Sequence, residues 1–328
     1  MSNQALEKIE LTKPVIAIVG PTASGKSSLA QELATFLNGE IISADSMQVY
    51  RVMNIGTGKV PVSERRVKHW GLDLCSPSET YSVAHFQEYA RDCFSRIAAR
   101  GKRVILCGGT GLYVAAAIDD FHFPKGEQLD NATRSHYMRV AETMGQQHLW
   151  NELQKKDPAS AELIHPNNVR RVVRAFEMLE EGTSYAQQNA NAKSIASIVP
   201  AIQIGLRVDP DLLNRKINTR VDEMISLGLV DEVASLLSQG FRESITSPQA
   251  IGYKEIVEML EGNCSLDEAI EAIKLATRRY AKRQRSWFKR DSRIFWIDAD
   301  TKSTKELLEE ALAIIEEQDE KARIENGS

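Results

Sequence analysis

Little in this chain invites a disulfide or a structural metal. Only four cysteines stand among 328 residues, at Cys75, Cys93, Cys107 and Cys264. No two form a C-x-x-C pair and none sits with histidines at zinc-ligand spacing, so neither a disulfide framework nor a zinc site is indicated. Long apolar runs are also missing: nowhere do about 18 consecutive apolar residues occur, and the opening MSNQALEKIELTK has no signal-peptide core. A soluble, unexported protein of a reducing cytoplasm is expected, with no membrane partner. Charge of one sign is lacking too. Lys plus Arg number 41 against 45 Asp plus Glu, a net charge of −4 that, averaged over the chain, argues against a nucleic-acid partner.

What is present is enough apolar residue, 42% of the chain, to bury one large domain with an insertion or second lobe. Residues 14–19 (PVIAIV) form a short β-branched run that reads as a buried strand, followed by a glycine-bearing turn and an amphipathic helix over 26–37. Further strands are expected at 40–44, 103–107, 201–208 and 294–297, with helices over 83–100, 210–238 and 266–290. Strands ending in Gly or Asp loops before helices predict an α/β protein with a parallel sheet. From 120 to 200 helical patterns dominate, framed by the turn-rich FHFPKGEQLDN and the polar YAQQNANAKS. The predicted division is a discontinuous core, 1–119 and 201–300, a helical insertion, 120–200, and an acidic helix over 303–320 within a tail, 301–328, whose last residues, KARIENGS, fray. No internal repeat is visible.

The turn after the first strand, Gly20-Pro21-Thr22-Ala23-Ser24-Gly25-Lys26-Ser27, fits G-x-x-x-x-G-K-[ST] between a strand and a helix start. Its backbone amides and the helix N-terminus offer an anion cradle, Lys26 supplies a point charge, and the Ser27 hydroxyl can ligate Mg²⁺. The motif leaves open whether a nucleoside triphosphate or a simple diphosphate is held. Asp45, in ISADSMQVYR, closes the second strand, which on a doubly wound sheet lies beside that loop. It suits three roles: holding Mg²⁺ through water, accepting a proton from a nucleophile, or capping a helix.

GPTASGKS followed by DSMQVYR, NIGTGK, GGTGLY, IHPNNVRRVVRAFE and YAKRQRSWFKR resembles the bacterial tRNA dimethylallyltransferases, a match running from about residue 14 to 297. The resemblance implies a P-loop NTPase-like core with a mainly helical insertion that contacts the tRNA anticodon stem-loop. It also implies transfer of a dimethylallyl group from dimethylallyl diphosphate to N6 of the adenosine 3′-adjacent to the anticodon, with Mg²⁺ as cofactor. By the same resemblance Asp45 is the general base, which suits a poorly nucleophilic amine. Gln48 becomes a base-reading residue, with Ser46 and Met47 lining its channel. Lys26, Ser27 and Arg220, in KINTRVDEM, serve the diphosphate, and Thr110, in GGTGLY, contacts the target nucleotide. Arg134 and the run Arg170, Arg171, Val172, Val173, Arg174 are implied tRNA contacts. Arg170 stands where the family has Gln, Ser27 where it has Thr, and His69-Trp70 where it has paired histidines. Read for itself, His69 is a structural hydrogen-bonder before a strand. A monomer is expected.

Charge distribution corrects the charge average. Residues 278–293, RRYAKRQRSWFKRDSR, hold eight basic residues and one acidic, interleaved with Tyr280, Trp287 and Phe288, whereas residues 301–328 hold four basic and eight acidic. A neutral body with basic stripes and an acidic tail fits RNA. The charges of 278–293 are expected on phosphates and Trp287 in the core. Three rivals remain: an adenylate isopentenyltransferase acting on free AMP, ADP or ATP, a P-loop small-molecule kinase, and a non-catalytic RNA-binding protein.

Overall fold

The computed structural model describes residues 11–121, 132–191, 197–243 and 246–326. The first half of the larger unit alternates strands and helices: β1 (Val15–Val19), α1 (Lys26–Phe36), β2 (Gly39–Ser43), β3 (His69–Trp70), α2 (Val83–Ala98), β4 (Arg103–Gly108) and α3 (Gly111–Ile118). Five helices follow: α4 (Ala132–Met144), α5 (Gln146–Lys156), α6 (Pro158–Leu163), α7 (Val169–Glu180) and α8 (Tyr185–Asn191). The chain then completes the larger unit with β5 (Ala201–Arg207), α9 (Pro210–Ser226), α10 (Leu229–Leu237), α11 (Tyr253–Leu260), α12 (Leu266–Phe288), β6 (Ile294–Asp298) and α13 (Thr304–Asn326). One compact unit comprises Met1–Asp119 with Ser197–Ser328, the other Asp120–Ala196.

Among the described residues six strands make one sheet in the order β3-β2-β4-β1-β5-β6, every pairing parallel. Every residue of β1, β2 and β4 is buried, as a parallel sheet covered on both faces requires. After β1 the chain turns towards β4 and β2; after β4 it crosses back to β5 on the other flank of β1. The C-terminal end of β1 is therefore a topological switch point, where open α/β sheets form their ligand crevice. The phosphate loop leaves the sheet there.

Helix boundaries follow local signals. α9 opens on Asp209, whose Oδ1 accepts from the amides of Asp211 (2.9 Å) and Leu212 (3.1 Å), with Pro210 at the first helical position. α12 opens on a reciprocal Ser265–Glu268 capping box. The single helix expected over 210–238 is two, broken at Gly228, whose φ of 97° ends one and starts the next. The polar stretch at 185–194 is helical over Tyr185–Asn191, and its remainder, like 122–131 of the turn-rich segment, lies outside the described residues. α13 continues to Asn326, into the KARIENGS segment whose final two residues lie outside the described residues, with Leu307, Ala311 and Ile315 buried and Asp319 in a two-point ion pair with Arg103, both contacts at 2.8 Å.

The smaller unit has its own core. Tyr137 and Phe176 stack at 3.9 Å with Leu149, Leu153, Val172 and Val173 around them.

Candidate active site

The phosphate loop wraps the N-terminus of α1 and is braced from across the sheet. The Thr22 amide donates to Gln284 Oε1 of α12 (2.9 Å), while Gln284 Nε2 donates to the Gly109 carbonyl (2.9 Å). One buried carboxamide thus ties the loop after β1 to the loop after β4. Lys26 Nζ donates to the Pro21 carbonyl at 2.5 Å. Burial lowers its pKa to about 8, with Arg220 pushing the same way and Cys107 and Asp45 opposing. Ser24 Oγ is buried and has no hydrogen-bond partner among the described residues. A buried hydroxyl left unpaired costs free energy unless something accepts or donates there, and Ser24 is among the residues lining the cleft at this loop.

Asp45 follows β2. Its Oδ1 accepts from the Met47 amide at 2.9 Å, which makes a local turn rather than a helix cap. Burial raises its pKa above the ordinary carboxylate range, against the pull of the Met47 and Gln48 amides, Lys26 and Arg220. Thr110 occupies the N-cap position of α3 but makes no cap bond; its Oγ1 accepts from the Ser46 amide (3.1 Å). Tyr280 stands beside Thr110 and Gln284, and burial pushes its phenol up to about 12 against their pull. Arg220, from α9, lies across Gly58: a Cβ there would sit 1.6 Å from its guanidinium nitrogen, so only glycine fits. The Gln48 carboxamide is engaged with protein, accepting from Ser43 Oγ (2.7 Å) and donating to the Thr57 carbonyl (3.1 Å). His69 opens the edge strand β3, its Nδ1 2.9 Å from the Val67 carbonyl, and burial lowers its pKa.

Two clefts open on this cluster. The first, about 220 Å³, is walled by the phosphate loop, Ser43, Gln48, His69 and Cys107. The second, about 270 Å³, is walled by Ile217, Val221, Met224, Ile251, Tyr253 and Ile273. Thr22, Asp45, Thr57, Arg220 and Tyr280 line both. A carboxylate with a raised pKa and an arginine therefore stand where the cleft that holds Lys26 meets an apolar one.

The family model described as IPP transferase matches residues 48–291, three quarters of the chain. The chain belongs to the IPP transferase family. A second model, isopentenyl transferase, matches residues 13–69 only. The tRNA dimethylallyltransferase of Carboxydothermus hydrogenoformans is 45% identical over 304 residues, 92% of this chain and 97% of that protein. That of Geobacillus thermodenitrificans is 45% identical over 290 residues, 88% and 91% of the two chains. Among solved structures, the full-length tRNA isopentenylpyrophosphate transferase of Bacillus halodurans aligns with a TM-score of 0.68 at 40% identity, covering 96% of this chain and 99% of that one. A eukaryotic dimethylallyltransferase acting on tRNA aligns with a TM-score of 0.72 at 31% identity, covering 88% and 75%. The fold of this IPP transferase is accordingly the P-loop NTPase-like one.

The remaining candidates of this IPP transferase fall in different places. Ser46 and Met47 line the apolar cleft with Asp45. In the helical unit, Arg170 and Arg171 are exposed at the start of α7. Arg134 and Arg174 share the buried Glu177, at 2.8 and 3.2 Å. Val172 and Val173, grouped with the arginines in the sequence, are 0% and 1% exposed. Their side chains face the core because α7 is amphipathic and its apolar stripe falls on them. Trp287 is corrected in the opposite sense: it is 41% exposed, its indole lying over Gly111, while Phe288 takes the core position. Not every charge of 278–293 is free for phosphate, since Arg293 pairs with Asp119 and Asp291 and Arg278 donates to Asn218.

Sequence reasoning passed over Gln284 and singled out Tyr280 only as an aromatic among the basic residues of 278–293. The signal for the pair was present, because both lie in YAKRQRSW with an i, i+4 spacing that puts them on one face of α12.

Proposed function

We propose that this IPP transferase moves a dimethylallyl group from dimethylallyl diphosphate to N6 of the adenosine 3′-adjacent to the anticodon of a tRNA, releasing diphosphate. The observation that carries the reading is Asp45 at the junction of the two clefts. The diphosphate takes the polar cleft, on the loop amides, Lys26 and Arg220. The acceptor adenine enters from the apolar side past Met47 and Tyr280. As the N6–C1 bond forms, the C1–O bond breaks, its electron pair leaves with the diphosphate, and the N6 proton passes to Asp45. A raised pKa makes Asp45 a better base than an ordinary carboxylate, and Lys26 with Arg220 offsets the charge growing on the leaving oxygen.

The site fits Mg²⁺. No cluster of three or more metal-ligating side chains exists among the described residues, but Mg²⁺ at phosphates needs few protein ligands. The Ser27 hydroxyl would hold it, and the ion would neutralise diphosphate charge. Among the described residues no helix is long and apolar enough to cross a membrane. The tRNA substrate is what favours a cytoplasmic enzyme. A monomer is its proposed working form.

The test is incubation with labelled dimethylallyl diphosphate, Mg²⁺ and an anticodon stem-loop, or with AMP. The reading expects label in the RNA adenosine. Equal label in AMP would favour an adenylate isopentenyltransferase, and phosphate release from ATP a kinase.

A further inference from the structure

The loop Asn54–Lys59 forms the wall next to Asp45, yet no strand or helix holds it. Its backbone amides converge on a single side chain contributed from far along the chain. Glu232, in the first turns of α10, accepts from the amides of Asn54 (3.0 Å), Ile55 (2.9 Å) and Gly56 (3.3 Å), and its Oε1 also accepts from the Tyr253 hydroxyl at 2.6 Å. Three successive amides turned to one side form a nest for an anion, and here the anion is the protein's own carboxylate. The loop's opposite edge is gripped too: Gln48 Nε2 takes the Thr57 carbonyl at 3.1 Å, and Lys59 Nζ takes the Tyr50 carbonyl and Asp73 at 2.5 and 2.7 Å.

The fit allows no slack. A Cβ on Gly56 would stand 2.4 Å from the Tyr253 ring, and Gly58 lies directly under Arg220. A shift of the Asn54–Gly56 end of the loop by even part of an ångström therefore moves Tyr253 in the apolar cleft, while Gln48 keeps its hold on the Thr57 carbonyl next to Gly58 and Arg220.

We infer that Glu232 is a positioning residue for the transfer reaction: it fixes the Asn54–Gly56 end of the loop and Tyr253 so that the acceptor meets Asp45 in register. This rests on the proposed function for its substrate, and on the hydrogen bonds alone for its mechanism. Glu232→Gln keeps the shape, removes the charge, and turns an NH₂ towards donors. Glu232→Asp keeps the charge and withdraws it by one methylene.

The experiment compares both variants with the wild-type protein in three measurements: amide hydrogen exchange, calorimetric binding of inorganic pyrophosphate, and kcat/KM for a stem-loop RNA. The expected result is faster exchange confined to residues 54–58, pyrophosphate affinity within about twofold of wild type, and a loss of kcat/KM for the RNA of roughly tenfold to a hundredfold, the scale of ångström misplacement of reacting groups. A folded variant with unchanged exchange and unchanged kinetics overturns the inference. So does a loss of pyrophosphate binding in proportion to the loss of rate, which is the signature of general destabilisation. If one variant does not fold, the other decides. A wild-type protein that modifies no RNA contradicts the proposed function instead, and the exchange pattern still decides whether Glu232 holds the loop.

Discussion

At the residue scale the account turns on two groups whose protonation must be opposite at once. Asp45 has to be ionised to accept a proton, and Lys26 has to be charged to hold diphosphate. Burial raises the first pKa and lowers the second to about 8. The rate constant kcat/KM for the diphosphate donor, which reports the free enzyme, is therefore expected to rise with pH through a limb above the ordinary carboxylate range. It then falls through a limb near 8 as Lys26 loses its proton. The alkaline limb should move up or vanish in kcat, where bound diphosphate favours the charged lysine. A pH profile of both constants checks this. Asp45→Asn, isosteric but unable to take the proton, should cut transfer by roughly 10²- to 10⁴-fold with pyrophosphate affinity preserved; single-turnover assay and calorimetry measure the two. These residues were legible in the sequence because their chemistry is carried by a contiguous motif or by the end of a strand. Gln284 and Glu232 were not: each reaches backbone partners at least 175 residues away, and no local pattern encodes such a meeting.

At the element scale, apolar continuity explains what could be read. Buried strands such as VIAIV are unbroken β-branched runs closed by glycine, and their limits are off by a residue or so at most. β3 has two residues and no run to recognise, and α11 is an eight-residue helix beginning after Gly252. α7 shows how an element divides labour. Its outer face carries Arg170 and Arg171, while Glu177 is 1% exposed and gathers Arg134 and Arg174. Removing one partner of a buried pair leaves the others uncompensated. Glu177→Ala is accordingly expected to destabilise the helical unit by about 3 kcal/mol. Hydrogen exchange of α4 and α7 should register the loss, with β1 and β4 unaffected.

At the scale of the whole molecule the net charge of −4 hides its own distribution. α13 brings acidic residues to the body of the larger unit, where Asp319 neutralises Arg103. α12 carries exposed Arg279 and Lys282, and exposed Lys289 follows its last residue. Their contribution to RNA binding is counterion release, so log Kd against log salt concentration should be linear. Replacing Lys282 and Lys289 by Gln should reduce that slope by about one unit for each, whatever the sequence of the loop. Slopes equal to wild type would remove α12 from the RNA-binding surface.

The central claim is that Asp45, set between an anion cleft and an apolar cleft, joins a prenyl donor to an RNA adenosine. Mass analysis of nucleosides after reaction of purified protein with dimethylallyl diphosphate, Mg²⁺ and unmodified tRNA tests it most directly. The account predicts one added dimethylallyl group on N6 of the adenosine beside the anticodon, absent with Asp45→Asn. Unmodified RNA, or modification undiminished in Asp45→Asn, would contradict it.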